Sequence, residues 1–227
     1  IVAVVGDHMR QIPGLAGQVF SALGRNGINI RAIAQGSSER NISSVIERKH
    51  EKKALRVLHD AFFLGDLKTI NLYMAGPGMI GSRVLEMLYQ QQDYLKSKYK
   101  LQFRLIGVAR SKSYLIEEDG IPFDGWQQKL KENGTNGNIH DFLEKIKSAD
   151  LANSIFVDCS SSQLIADLYA EILDASISIA TPNKKAASSS LSYFRKLHEI
   201  ARKKHVKYNY ETNVGAGLPM IHTIRDL

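Results

Sequence analysis

Three glycines, Gly76, Gly78 and Gly81, follow the apolar run Ile70-Asn-Leu-Tyr-Met-Ala75 and open a segment with helical spacing. The pattern is G-x-G-x-x-G between a strand and a helix. There the first glycine turns the chain, the second admits a pyrophosphate against bare backbone, and the third packs helix on strand. Amides opening the helix near Gly78 would face the phosphates. Ile80, Val84, Met87 and Leu88 are expected to form the helix's one buried face. A tight turn without ligand is the other meaning of these glycines; the flanking strand and amphipathic helix favour a dinucleotide.

Further residues able to do chemistry stand at the ends of later apolar runs. After Leu101 to Val108 comes Ala109-Arg-Ser-Lys112, where an acidic residue would bond a free ribose 2′-hydroxyl and repel a phosphate. Arg110, with Ser111 or Lys112 beside it, can instead make charge-assisted bonds to a 2′-phosphate, which favours NADP over NAD. An exposed arginine at a strand end is the plain alternative. Ser154-Ile-Phe-Val-Asp158 leads into Cys-Ser-Ser-Ser162, before the periodic Leu164, Ile165, Leu168, Tyr169 and Ile172. One serine is accounted for as a helix N-cap, and the hydroxyls also suit a nicotinamide-side ribose. Cys159 has no base near it in sequence, so it reads as a packed thiol rather than a nucleophile. In Ile177-Ser-Ile-Ala-Thr-Pro-Asn-Lys-Lys-Ala186 a strand-end lysine could bond a carbonyl or hydroxyl of a substrate, generic surface lysines being the alternative. Val206 to Pro219 reads as a strand and a glycine loop whose carbonyls near Glu211 could hold a hard cation.

The elements that must position these residues can be read in order. Residues 1–5 read as a buried strand, and Pro13-Gly14 starts a helix with Leu15, Val19, Ala22 and Leu23 on one face. Arg25-Asn-Gly27 stops that helix. Strands Ile28–Ala34 and Ile42–Ile46 follow, then a helix with Ala54, Leu55, Leu58 and Phe62 on its apolar face. Gln90 to Lys100 reads as a polar link and residues 120–150 as loop-rich, with Trp126 as a core anchor and a helix around His140 to Lys147.

With 227 residues, 44% hydrophobic, the chain is long enough for two domains, and no run approaches the ~20 apolar residues of a membrane helix. It is expected to be soluble and cytoplasmic. A single cysteine excludes an internal disulfide framework and suits a reducing cytosol. The net charge of +7 gathers in Arg195 to Lys207, where Leu191, Phe194, Leu197 and Ile200 recur at helical spacing, so a solvated helix face is preferred to a nucleic-acid site. The absence of an initiating methionine and an end inside a helical pattern make the chain read as an internal piece of a longer polypeptide.

The order strand, helix, strand, strand, helix, with Gly6-Asp7 after the first strand and Asn26-Gly-Ile-Asn-Ile30 before the second, resembles the ACT domain, an amino-acid-sensing module. Ile30-Arg-Ala-Ile-Ala-Gln-Gly-Ser-Ser-Glu-Arg-Asn-Ile-Ser43 is similar to the second ACT repeat of aspartate kinases fused to homoserine dehydrogenase. The resemblance implies effector contacts at Asp7, Met9, Asn29, Ile30 and Gln35; otherwise Asn29 caps a turn and Gln35 is an exposed strand end. A closing strand would come from a companion repeat upstream, and the unpaired edge implies self-association.

Gly76-Pro-Gly-Met-Ile-Gly81, Val157-Asp-Cys-Ser-Ser-Ser-Gln163, Thr181-Pro-Asn-Lys-Lys-Ala186 and Thr212-Asn-Val-Gly-Ala-Gly-Leu-Pro219, in this order, resemble the amino-terminal part of homoserine dehydrogenase. The fold class implied is α/β, a ferredoxin-like ACT domain at 1–67 followed by a Rossmann-type doubly wound sheet at 68–227, with the substrate domain after 227 and a kinase before 1. The implied activity is NAD(P)-dependent interconversion of L-aspartate 4-semialdehyde and L-homoserine, this piece being inactive alone. By resemblance Gly76, Pro77, Gly78, Met79, Ile80 and Gly81 hold the pyrophosphate, and Ser160 and Ser161 the nicotinamide ribose. Lys184 lies beside cofactor and substrate, Glu211 with the carbonyls of Val214, Ala216 and Leu218 matches a sodium site, and threonine is the family's effector. The competing readings are a non-catalytic ACT and nucleotide-binding regulatory module, or an ACT-linked dehydrogenase of prephenate or phosphoglycerate, which the lysine loop disfavours. A DNA-binding protein is disfavoured because the basic helix lacks a helix-turn-helix partner.

Overall fold

A computed structural model describes every residue except 8, 10, 11, 37–39, 64–66, 216 and 227, and the side chain of 225. The chain divides into two compact units, Ile1–Lys68 and Thr69–Leu227.

In the first unit β1 (Val2–Val5), α1 (Leu15–Arg25), β2 (Ile30–Gln35), β3 (Asn41–Ile46) and α2 (Glu51–Phe63) follow in the expected order. The sheet is antiparallel with order β1-β3-β2. Helix α1 ends as its sequence dictates, with a left-handed glycine just past its last turn. Gly27 takes φ +72°, and the Ile28 amide reaches back to the Leu23 carbonyl at 3.1 Å. Val2, Ile42, Val19, Leu23, Ala54 and Leu58 close the core between one sheet face and the two helices. Two expectations need correction. β1 is a half-buried edge strand rather than a buried one, with Val2 inside and Val5 74% exposed. The reason is that helices cover only one face of the sheet. On α2 the buried apolar residues are Ala54, Val57 and Leu58, beside a buried Lys53, while Leu55, one residue around the helix, faces out. The three apolar positions are spaced i, i+3, i+4 and so share one side.

The second unit is built on a seven-stranded sheet. It comprises β4 (Lys68–Ala75), α3 (Met79–Gln90), α4 (Gln92–Tyr99), β5 (Leu101–Ala109), β6 (Ser113–Ile121), α5 (Trp126–Asn133), β7 (Thr135–Asn136) and α6 (Ile139–Ala149). It continues with β8 (Ser154–Asp158), α7 (Gln163–Asp167), α8 (Tyr169–Asp174), β9 (Ser178–Ala180), α9 (Leu191–Lys203), β10 (Tyr208–Asn209) and α10 (Met220–Asp226). The strand order is β10-β9-β8-β4-β5-β6-β7, parallel from β10 through β9 and β8 to β4, with β6 antiparallel to β5 and β7. β4 is apolar on both faces because both are covered. Leu72 and Met74 join Leu85, Trp126 and Leu130, while Tyr73 and Ala75 join Phe142, Phe156 and Tyr169. After β4 the chain builds outward through β5 to β7, then returns to place β8 on β4's other side. The carboxyl ends of β4 and β8 therefore flank the point where strand order reverses, the usual crevice for a ligand in an open parallel sheet.

Three sequence readings of this unit are corrected. The buried face of α3 is Gly81 and Leu85 flanked by Val84 and Leu88; Ile80 and Met87 are 56% and 46% exposed. The stripe runs i, i+3, i+4, i+7 from the glycine that meets the strand, so the set starting at Ile80 is one residue out of phase. The polar stretch after Gln90 is helix α4, which buries no residue fully and so carries no apolar periodicity to read. The loop-rich reading of 120–150 also misses the end of β6 and all of α5 and β7. The acidic Glu117-Glu-Asp119 lies inside β6, with Glu117 paired to Lys129 of α5 at 2.7 Å. Trp126 is buried, as expected of a core anchor. On α9, Leu197 and Ala201 are buried and the cations point outward, Lys203 bridging Glu199 at 2.7 Å.

Candidate nucleotide site at the switch point

Gly76 leaves β4 with φ +74°, and its amide bonds the Ala109 carbonyl at 3.0 Å, tying the turn to the end of β5. A Cβ on Gly76 would lie 2.8 Å from the Ser160 nitrogen and 2.9 Å from its Cβ. One on Gly81 would lie 2.6 Å from the Gly76 carbonyl oxygen and 3.2 Å from Met74 Sδ, so Gly81 lets α3 close on β4. Gly78 differs: nothing lies within 4 Å of where its Cβ would stand, and its φ of −77° suits any residue. The protein's own packing demands glycine at 76 and 81 but not at 78, where a Cβ would meet open space. No side chain caps the start of α3, and Met79 and Ile80 are exposed there, leaving first-turn amides and an apolar surface toward solvent.

Arg110 follows Ala109 directly and is exposed. Its amide closes the β5–β6 turn on the Ser113 carbonyl at 2.8 Å, and its guanidinium carbon stands 5.7 Å from the Trp126 ring centroid. That separation is within the range of a cation–π contact.

Across the switch point, the Cys159 amide bonds the Ala75 carbonyl at 2.9 Å. Ser162 is the serine that caps, its hydroxyl accepting from the Ile165 amide. Ser160 is half-buried with its hydroxyl accepting from the Ser162 amide at 3.1 Å, and Ser161 is exposed. Burial, and next the charge of Asp158, push the Cys159 thiol up to about 11, because both disfavour a thiolate. At pH 8 Cys159 should therefore react with an aromatic disulfide reagent about a hundredfold more slowly than an ordinary cysteine, its rate rising tenfold per pH unit. By the same sign the unfolded thiol ionises first, and the contribution to stability fades as pH rises from the ordinary value of 9.0 to about 11. Rapid labelling at neutral pH would contradict the packed environment.

The sequence reading gave no role to the group that joins these loops. Asp158, fully buried at the end of β8, accepts from the Ser160 amide at 2.8 Å, from Tyr169 Oη at 2.7 Å and from Asn183 Nδ2 at 2.9 Å. Its carbonyl accepts from Thr181 Oγ1 at 2.8 Å. Burial and then the Asp158 charge raise the Tyr169 phenol well above its ordinary value, so it stays a donor. A carboxylate ending an otherwise apolar strand, inside the quoted Val157-Asp158 motif, was the available signal. Lys184 is exposed between Asn183 and Lys185.

The remaining candidates are placed as follows. Glu211 Oε1 accepts from the His222 amide at 3.0 Å, and the Leu218 carbonyl accepts from the Met220 amide at 2.8 Å. Val214 lies in the same loop and Ala216 lies outside the described residues. In the first unit Asp7 pairs with Arg40, and Met9 packs on the core. The register puts Gln35, opposite Ile42, at the sheet end from which Val5 leads to Asp7. Asn29 and Ile30 stand at the other end, the length of β2 away, about 17 Å at ~3.3 Å per residue. A single copy of this sheet does not bring all five together.

An ACT domain profile matches residues 2–62, and the profile "Homoserine dehydrogenase, NAD binding domain" matches residues 76–211. The chain belongs to the homoserine dehydrogenase NAD-binding domain family. Over its whole length it is 40% identical to bifunctional aspartokinase/homoserine dehydrogenase 2 of Arabidopsis thaliana, described as chloroplastic, and 39% identical to the bifunctional enzyme of Haemophilus influenzae. The chain covers 25% and 28% of those two proteins, so it spans about a quarter of the relatives it matches. A hyperthermophilic archaeal homoserine dehydrogenase in complex with NADPH shares the fold, with TM-score 0.57 and 20% identity over 70% of this chain and 49% of that one. A Candida auris protein described as of unknown function superposes with TM-score 0.60 and 30% identity, covering 70% of this chain and 43% of that one. This homoserine dehydrogenase NAD-binding domain thus stands behind an ACT domain, in the order that the bifunctional enzymes share. Among the described residues no helix is long and apolar enough to cross a membrane.

Proposed function

We propose that this chain is the nicotinamide-binding and effector-sensing portion of an enzyme that interconverts L-aspartate 4-semialdehyde and L-homoserine, with NADPH preferred to NADH. The observation that carries the proposal is Gly78, a glycine of the fingerprint that the protein's own contacts do not require, at the uncapped start of α3. The residues fit a dinucleotide. The Gly78 amide closes the turn on the Gly76 carbonyl at 2.8 Å, so that Pro77 and Gly78 line the pyrophosphate while the Met79 and Ile80 amides face its anionic oxygens at a helix amino terminus. The Arg110 guanidinium, resting on Trp126, meets a 2′-phosphate, and the Ser160 and Ser161 hydroxyls meet the nicotinamide-side ribose. When bound, the nicotinamide supplies the hydride that turns the aldehyde into the alcohol, or takes it back. Lys184 stands beside cofactor and substrate and donates a hydrogen bond to the aldehyde oxygen as charge develops there.

Glu211, with the Val214, Ala216 and Leu218 carbonyls, is proposed to hold sodium. One Glu211 oxygen is already engaged by His222, so the other is the one to bind. Threonine is the proposed effector of the ACT domain, through Asp7, Met9, Asn29, Ile30 and Gln35. Homo-oligomerisation rests on the unpaired edge of the three-stranded sheet, where β2 is mostly exposed and its free backbone groups can pair with another copy. A cytoplasmic setting belongs to the same reading, against plant relatives described as chloroplastic.

In the natural polypeptide that carries this chain, homoserine-dependent reduction of NADP is expected, with Lys184→Ala lowering kcat at least tenfold while NADPH still binds. Nucleotide binding without turnover in that polypeptide would favour a regulatory module instead. No nucleotide binding would remove the reading altogether.

A further inference from the structure

We propose that Asp158 is a positioning residue: one buried carboxylate locks the Ser160–Ser161 turn and the Thr181–Lys184 loop into a single geometry, and so sets where those hydroxyls and the Lys184 ammonium stand. This rests on the nucleotide reading above.

The side chain reaches both loops at once. Oδ1 takes the Ser160 amide at 2.8 Å, and Oδ2 takes Asn183 Nδ2 at 2.9 Å together with Tyr169 Oη at 2.7 Å. Thr181 Oγ1, which donates to the Asp158 carbonyl at 2.8 Å, accepts from the Asn183 amide at 2.9 Å, so the loop is gripped through its backbone as well. With its amide oriented by Oδ2, Asn183 donates a second time to the Ser162 carbonyl at 3.0 Å and accepts from the Lys185 amide at 3.0 Å. Lys184 is therefore held on both sides by a network that begins at Asp158, while the Ser160 turn is held from the same carboxylate.

Stability alone gives little reason for the group. Every polar contact described for its side chain is to a neutral donor, and desolvating a carboxylate carries a cost that an apolar neighbour of the same volume would not. What a carboxylate adds is acceptor capacity on both oxygens, which lets one side chain fix two loops at the carboxyl ends of neighbouring strands. Asparagine at 158 keeps an oxygen for the Ser160 amide but turns an NH2 group toward Asn183 Nδ2, donor against donor. Exchanging the pair, Asp158→Asn with Asn183→Asp, restores donor to acceptor between the two side chains and gives up the Asn183 bond to the Ser162 carbonyl.

The test is steady-state homoserine oxidation, NADPH titration and thermal melting on the natural polypeptide that carries this chain. Asp158→Asn should lower kcat/KM about tenfold or more, a size seen for outer partners that orient site groups. Asn183→Asp alone should lower it too, and the exchanged double variant should recover at least half of the loss on a logarithmic scale. A merely structural carboxylate predicts recovery of the melting temperature without recovery of kcat/KM, and that result would overturn the proposal. So would unchanged kcat/KM in a folded Asp158→Asn. Should Asp158→Asn fail to fold, Thr181→Val, which keeps the shape and removes the hydroxyl's bonds to the Asp158 carbonyl and the Asn183 amide, must lower kcat/KM when assayed well below its melting temperature, or the proposal falls. If the unsubstituted polypeptide does not bind NADPH, the nucleotide reading fails first, and with it this proposal's premise.

Discussion

Gly76→Ala is expected to destabilise the protein by about 3 kcal/mol, whereas Gly78→Ala leaves stability unchanged and weakens NADPH binding at least tenfold. At Gly76 two penalties add. Its φ is +74°, a left-handed conformation that costs a non-glycine residue ~1 kcal/mol. A Cβ there would stand 2.8 Å from the Ser160 nitrogen and 2.9 Å from its Cβ, in a loop that Asp158 already holds. Overpacking of that kind adds ~1–3 kcal/mol. Neither penalty applies at Gly78, whose φ is ordinary and whose Cβ would face open space. There a methyl group displaces only what binds, and holding a pyrophosphate one carbon farther from the amides loses charge-assisted hydrogen bonds of ~1.5–3 kcal/mol. Melting curves and calorimetric titrations of the two variants read both halves. A Gly78→Ala protein that binds NADPH as tightly as its parent would mean that the phosphates do not lie on this turn.

Arg110→Ala is expected to erase a preference for NADPH over NADH by reducing NADPH affinity roughly 10- to 100-fold, the ~1.5–3 kcal/mol of hydrogen bonds to a charged group, with NADH affinity unchanged. The reasoning is positional. The Gly76 amide is bonded to the Ala109 carbonyl, so Arg110 is the first residue past the glycine turn on the neighbouring strand. Trp126 supports its guanidinium from the protein side. No carboxylate stands at 109–112 to repel a phosphate. The expected loss should shrink at high salt, since the residue is exposed. Equal losses for both nucleotides would assign Arg110 to the shape of the β5–β6 turn instead of to the phosphate.

Local chemistry was legible in the sequence because each feature sits in one short stretch. The Gly76 to Gly81 turn, the Gly27 stop of α1, the Ser162 cap and the buried Trp126 all follow from a few adjacent residues. Elements whose stability comes from distant partners were not legible. β6 carries Glu117-Glu-Asp119 in its middle and is recognisable as a strand only beside β5, and α4 buries nothing that periodicity could register. The phase of α3 was misread by one residue because the sequence does not say which side of the helix meets β4. Gly81 against the Gly76 carbonyl decides it.

A strand, a glycine turn and a helix suited to a dinucleotide, behind a small unit of strand, helix, strand, strand, helix, are written in the residues alone. Backbone freedom and hydrophobic period are properties of neighbouring residues and need no fold to be read. The folded chain gave the three glycines their contacts, close approaches of about 2.6–2.9 Å at Gly76 and Gly81 and open space at Gly78. The fold also sets the first unit's candidate effector residues at opposite ends of its sheet and joins Asp158, Tyr169, Thr181 and Asn183 in one network. Those facts depend on which strand lies beside which. The parallel pairing of β8 with β4 and β9 is made by residues far apart in the chain, because parallel neighbours need a long crossover between them.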